Sequence, residues 1–289
     1  MRQALCLPSI NPMKNIPLST EEKRRRRSIY LLPNAFTTAN LFAGFYAVVQ
    51  AMSGQYEVAA IAIFLAMVFD GMDGRVARLT HTESAFGEQY DSLADMTSFG
   101  IAPALVTYVW ALQSLGRWGW VAAFVYVVGG ALRLARFNTN IAVVDKRYFQ
   151  GLPIPAAAAL MAGFVWLAVD GKLFFLSEGT IQWLAWVVTV YAGTHMVTNL
   201  PFYSGKSFTM TRSVPFWVML VVVGLFVVVS SNPPLALFGL FVAYGVSGWG
   251  VWIWRLRRAR RLRRKRQHKD LKTVGSAPAQ TSDQDPNGT

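Results

Sequence analysis

Eight apolar blocks, at 34–52, 57–78, 88–111, 118–138, 152–170, 181–199, 213–231 and 234–254, leave few folds open to this chain. Each is close to the roughly 20 residues that a helix needs to cross a bilayer. Lipid offers no partner to backbone N–H or C=O groups, so a spanning segment is either a helix or a strand in a closed barrel. The blocks lack the strict alternation of barrel strands. The expected fold class is therefore all-α, a polytopic helical membrane protein with about eight transmembrane helices. With 53% hydrophobic and only 15% charged residues in 289, the composition excludes an ordinary soluble domain.

The formal charge of +13 gathers at the ends, in the run at 23–27 before the first block and at 255–272 after the last. The positive-inside rule places both termini in the cytoplasm, as an even number of spans requires. Arg78, Lys146, Arg147, Lys206 and Arg212 fall in loops on that side, whereas the opposite loops carry mainly Arg117 and Lys172. The expected organisation is a basic cytoplasmic arm at 1–29, a transmembrane domain at 30–254, a basic juxtamembrane segment at 255–272 and a disordered tail at 273–289. That tail is rich in Ser, Pro, Gln, Asp and Gly and lacks the apolar residues that offset ordering entropy. Because the basic runs flank membrane spans, they are read as contacts to anionic lipid headgroups, and no nucleic-acid partner is expected. No signal peptide is expected before the first span. The lone cysteine, Cys6, can form no intramolecular disulfide.

Four acids stand out against this background. Asp70, Asp73, Asp91 and Asp95 are spaced D-x2-D-G-x2-A-R-x8-G-x3-D-x3-D near the cytoplasmic ends of the second and third blocks. Carboxylates at membrane depth are costly and mark function. At 100° per residue, Asp70, Asp73, Gly74 and Ala77 share one helical stripe with Arg78 at its edge, and Gly87, Asp91 and Asp95 form a second stripe. The short connection at 79–86 makes the two helices antiparallel neighbours, so the stripes can face each other and bring four carboxylates to one cytoplasm-facing pocket.

Four like charges in a partly buried pocket repel, and a divalent cation relieves them. The donors are all hard oxygens with no Cys or His in register, which favours Mg²⁺ or Mn²⁺, with Ca²⁺ also open, over zinc or copper. The number of ions is left open. His81, His195 and His268 are scattered and read as surface or packing residues. Gly74, Ala77 and Gly87 remove bulk from the pocket, and Arg78 can grip a phosphate with its planar fork.

These eight residues, Asp70, Asp73, Gly74, Ala77, Arg78, Gly87, Asp91 and Asp95, match the signature of the CDP-alcohol phosphotransferase family without gap or substitution. At about 6% usage per residue type, eight such positions coincide by chance at roughly 10⁻¹⁰ per starting point. The chain further resembles the membrane-embedded phosphatidylserine synthase branch in the stretches LPNAFTTANLFAG (32–44), FDGMDGRVARLTHTESAFGEQYDSLADMTSFGIAPA (69–104), RLARFN (133–138) and GLPIPAAA (151–158). The resemblance implies metal binding by Asp70, Asp73 and Asp91, and a general base in Asp95 that also ligates metal. It implies room for CDP at Gly74, Ala77, Gly87 and Arg78, and further CDP-diacylglycerol contacts from Asn34, Thr37 and Ser84. The implied reaction moves the phosphatidyl group of CDP-diacylglycerol to the hydroxyl of L-serine, in phospholipid biosynthesis. A homodimer in the bacterial inner membrane is expected from the same resemblance.

Serine also has a carboxylate to be recognised. Arg133, Arg136 and Asn138 cluster at the cytoplasmic end of the fourth block, where an arginine could pair with it, although positive-inside anchoring explains the same residues. Two rival functions stay open. A different acceptor, glycerol 3-phosphate or inositol phosphate, would use the same eight residues. A transporter or channel would explain the acids but not the Gly, Ala and Arg register.

Overall fold

The computed structural model describes residues 20–80, 84–139, 148–203 and 216–275. Cys6, His81, Lys146, Arg147, Lys206 and Arg212 lie outside these residues. In chain order the elements are α1 (Thr20–Met52), α2 (Tyr56–Thr80), α3 (Ala85–Asp95), a π-helical turn (Met96–Ile101), α4 (Ala102–Trp110) and a 3₁₀ turn (Leu112–Leu115). There follow α5 (Arg117–Thr139), β1 (Tyr148–Gln150), α6 (Ile154–Val169), α7 (Glu178–Val197), β2 (Pro201–Tyr203), α8 (Phe216–Ser231) and α9 (Pro233–Gly275).

The molecule is mostly helical, and all eight apolar blocks are helical over most of their described length. Two helical stretches, Arg117–Thr139 and Pro233–Arg255, are long and apolar enough to cross a membrane; α6 and α8 are apolar but 16 residues each. Both basic ends join the helices beside them, since α1 starts at Thr20 inside the expected N-terminal arm and α9 runs on to Gly275. Residues 273–275 of the expected disordered tail are therefore helical. The rest of that tail lies outside the described residues.

The third block departs from the single regular helix expected at 88–111. Immediately after Asp95 the helix widens into the π turn, where the N–H of Ala102 reaches back five residues to the carbonyl of Thr97. Pro103 follows and has no N–H to give to a preceding carbonyl. The carbonyl of Phe99 is instead capped by the fully buried Tyr126 hydroxyl of α5 at 2.8 Å. A turn that would leave backbone groups unpaired is thus held by a neighbouring helix, as a water-poor interior requires.

The alanine-rich α6 is the central helix. Twelve of its sixteen residues are buried, and it packs on α2, α4, α7 and α9. Small residues set the tightest crossings. A Cβ on Gly129 of α5 would sit 2.3 Å from the carbonyl oxygen of Gly193 in α7, so these backbones meet at a distance that no side chain permits. Away from the core, Phe42, Phe45, Trp118, Phe124, Phe216 and Phe226 are all more than half exposed. Apolar surface on this scale fits contact with lipid.

Periodicity gave no sign of the two short strands. β1 and β2 pair antiparallel, with Phe149 opposite Phe202, and link the segment after α5 to the segment after α7. The pairing continues into Gly151 and Leu152, whose N–H groups donate to the carbonyls of Leu200 and His195 at 2.9 Å. Gly151 has φ +80°, and a Cβ there would lie 2.4 Å from the carbonyl oxygen of Met196, so both backbone angle and space call for glycine. This anchor fixes the start of α6, which forms one wall of the cavity described next.

Candidate active site

Five elements meet around a cavity of about 920 Å³: the start of α1's apolar part, the end of α2, the start of α3, the end of α5 and the start of α6. All eight signature residues line it: Asp70, Asp73, Gly74, Ala77 and Arg78 from α2, and Gly87, Asp91 and Asp95 from α3. Asn34, Thr37 and Ser84 line it as well, and so does Arg133. The facing stripes expected from helix geometry are present.

The acids are not equivalent. Carboxylate oxygens of Asp70, Asp91 and Asp95 all lie within 4.8 Å of one another. Asp73 lines the same cavity but stands outside that group. It is 5% exposed, and its Oδ2 accepts a hydrogen bond from the Thr37 hydroxyl of α1 at 3.0 Å. Asp95 is also tied to α1, its Oδ1 accepting from Asn40 Nδ2 at 3.2 Å. Asp91 Oδ1 is buried with no hydrogen-bond partner at all. No lysine or arginine among the described residues forms an ion pair with any of the four.

An orphaned, buried carboxylate oxygen beside two more acids fits a hard divalent cation, which replaces the missing donor and offsets the repulsion. Asp70, Asp91 and Asp95 are placed to hold one, with Asp73 adjacent. The donor set contains no softer ligand. His195 lies elsewhere, its ring nitrogens engaged by the Tyr191 carbonyl at 2.7 Å and by Trp249 Nε1 at 3.0 Å, which makes it a packing residue as expected.

Local sequence explains how each remaining group is presented. Ser84 caps α3, its Oγ accepting from the Gly87 N–H at 3.0 Å with extended φ and ψ, and this starts the helix that carries Asp91 and Asp95. A Cβ on Gly87 would come within 3.1 Å of that hydroxyl, whereas one on Gly74 would meet nothing within 4 Å. Gly87 therefore serves the cap, and Gly74 leaves open space in the cavity. Arg78 folds back so that Nε donates to the Gly74 carbonyl at 2.7 Å, and it lines the cavity.

At the α5 end, the three residues considered for the acceptor separate. Arg133 lines the cavity and donates to the backbone carbonyl of Gln150 at 3.1 Å. Arg136 pairs with the Gln150 side chain, and Asn138 donates to Ser92 Oγ on α3 at 3.2 Å; neither lines the cavity. An apolar wall that sequence reasoning left without a role faces the acids, formed by Leu134, Phe137, Pro153, Ile154 and Pro155. These residues belong to the RLARFN and GLPIPAAA stretches, whose position at block ends was the available signal. Glu88, next to Gly87, also lines the cavity and was not singled out.

A family model described as CDP-alcohol phosphatidyltransferase matches residues 30–191, more than half of the chain and all five cavity-forming elements. The chain belongs to this family. Among its relatives, a Helicobacter pylori protein named CDP-diacylglycerol–serine O-phosphatidyltransferase is 38% identical over 222 residues, covering 76% of this chain and 92% of the relative. Proteins of the same name from Saccharomyces cerevisiae and Methanocaldococcus jannaschii are each 37% identical, over 152 and 138 residues. Both matches cover 48% of this chain, and 54% and 62% of the respective relatives. The CDP-alcohol phosphatidyltransferase family is membrane-associated and uses divalent metals, in keeping with the apolar helices and the acidic cluster seen here.

Proposed function

We propose that the chain transfers the phosphatidyl group of CDP-diacylglycerol to the hydroxyl of L-serine, giving phosphatidylserine and CMP. The observation that carries this reading is the gathering of all eight signature residues on one cavity, with three carboxylates close enough to share a cation. Serine as the acceptor is supported by the shared name of relatives from a bacterium, a yeast and an archaeon.

In this reading Asp70, Asp91 and Asp95 would hold Mg²⁺ or Mn²⁺, with Asp73 adjacent to the same group. The cation supplies charge stabilisation to the diphosphate and to the departing CMP. Asp95 accepts the serine hydroxyl proton as the new O–P bond forms and the P–O bond to CMP breaks. Arg133 pairs with the serine carboxylate, and Arg136 and Asn138 brace it by holding Gln150 and α3. Asn34, Thr37, Ser84 and Arg78 contact the CDP portion, while Gly74, Ala77 and Gly87 leave room for it. The acyl chains stay in the bilayer while serine arrives from the cytoplasm. We further propose eight spans with both termini cytoplasmic, in a homodimer of the bacterial inner membrane.

The test is an assay of purified protein with CDP-diacylglycerol, Mg²⁺ or Mn²⁺ and a panel of alcohols, following CMP release and the lipid product. Serine-dependent CMP release with phosphatidylserine formed is the expected result. Release driven only by glycerol 3-phosphate or an inositol phosphate would replace serine by the other acceptor, and no release with any alcohol would overturn the reading.

A further inference from the structure

Asn40 lies behind the acidic cluster, outside the cavity lining and outside the signature. It is 0% exposed, and its side chain offers two polar ends with different fates. Nδ2 donates to Asp95 Oδ1 at 3.2 Å, whereas Oδ1 is buried without a partner. An ionised carboxylate only accepts, so the amide must turn its NH₂ toward Asp95 and leave its own oxygen unsatisfied. Leucine, of similar size, would fill the same space without an orphaned oxygen. What the amide contributes at this position is its donor.

The surroundings hold that donor in place from a second direction. The backbone carbonyl of Asn40 accepts a hydrogen bond from Ser98 Oγ at 2.9 Å, and Ser98 sits in the π turn that begins one residue after Asp95. Gly44, one turn further along α1, allows this approach, since a Cβ there would lie 2.3 Å from Ser98 Oγ. The helix carrying Asp95 and the helix carrying Asn40 are thus locked together at the level of the carboxylate. Thr37, one turn earlier on α1, makes the equivalent contact to Asp73.

We propose that Asn40 is a positioning residue for Asp95: by occupying Oδ1 it fixes the carboxylate plane, and with it the direction in which Asp95 faces the acceptor hydroxyl. The inference rests on the reading of Asp95 as the base. Misplacing a catalytic group by about 1 Å can cost about 100-fold in rate. Removal of the donor should therefore lower kcat without loosening substrate binding.

The test compares Asn40→Leu, Asn40→Asp and Asp95→Asn in full-length protein. It measures kcat, KM for serine and for CDP-diacylglycerol, binding of CDP in the presence of Mg²⁺, and thermal unfolding in detergent. Asn40→Leu and Asn40→Asp should each lose roughly 30- to 100-fold in kcat, with both KM values, CDP binding and the unfolding temperature close to wild type. Turnover within about 3-fold of wild type in both Asn40 variants, with Asp95→Asn inactive, would overturn the positioning role and leave the base assignment standing. A loss of kcat matched by loss of CDP binding or of thermal stability in both variants would also overturn it, by making Asn40 structural. An active Asp95→Asn would instead remove the base reading on which the proposal stands.

Discussion

At the cavity end of the helices, carboxylates are held by neutral donors and by no cation among the described residues; at the opposite end, an aspartate pairs with a lysine and the turns close on their own backbone. Asp73 and Asp95 take hydrogen bonds from Thr37 and Asn40, and Asp91 Oδ1 takes none. At the far end Asp170 has Lys172 at 3.5 Å, Gly54 and Gly116 donate to the carbonyls of Ala51 and Gln113, and Trp186 Nε1 ties α7 to the carbonyl of Trp118 in α5. The contrast identifies where binding energy is kept in reserve. Clustered acids without a cation among the described residues add nothing to stability, whereas the proposed cation and anionic substrate would relieve their repulsion.

Replacing Asp95 by Asn should break the cavity end most severely, lowering turnover by about 10³-fold, within the range associated with a general base. Binding of Mg²⁺-loaded CDP, followed by calorimetry, should largely survive. The next effect is on the cation. Asp91→Asn removes the orphaned ligand and should raise the Mn²⁺ concentration needed for half-maximal activity by roughly 10- to 100-fold, with EDTA abolishing activity and added Mn²⁺ restoring it.

Gly129→Val tests the body that joins the two ends. Overpacking of this kind costs typically about 1–3 kcal/mol, and a lowered unfolding temperature in detergent should report it. Arg133→Gln should raise KM for serine by roughly 10-fold, as expected for losing a charge-assisted pair, with kcat and KM for CDP-diacylglycerol little changed. Lys172→Ala, at the exposed far-end pair, should shift stability by no more than about 0.5 kcal/mol and leave activity intact. A large effect there would dissolve the distinction between the ends.

How much of this was legible depended on the range of the interaction involved. The Asp70–Asp73 and Asp91–Asp95 stripes follow from 3.6-residue periodicity, and a short connection forces their helices together, so local rules suffice. Arg133 was reachable in the same way, as a cation near a block end. Asn40 was not, because one polar residue in an apolar helix carries no mark of the partner it meets 55 positions later. The Gly151 anchor and the β1–β2 pair escaped for the same reason, since three-residue strands are too short to show a period.

Sequence alone determined the helical class, the chemistry of the acids and the family signature, because each is encoded in composition or in spacing within one turn of helix. Only the tertiary structure decided which acids cluster and which one is drawn aside by Thr37, how the π turn brings Ser98 to Asn40, and that Arg133 lines the cavity while Arg136 and Asn138 do not. Those outcomes depend on contacts between helices distant in the chain, set by where glycine and alanine let backbones approach.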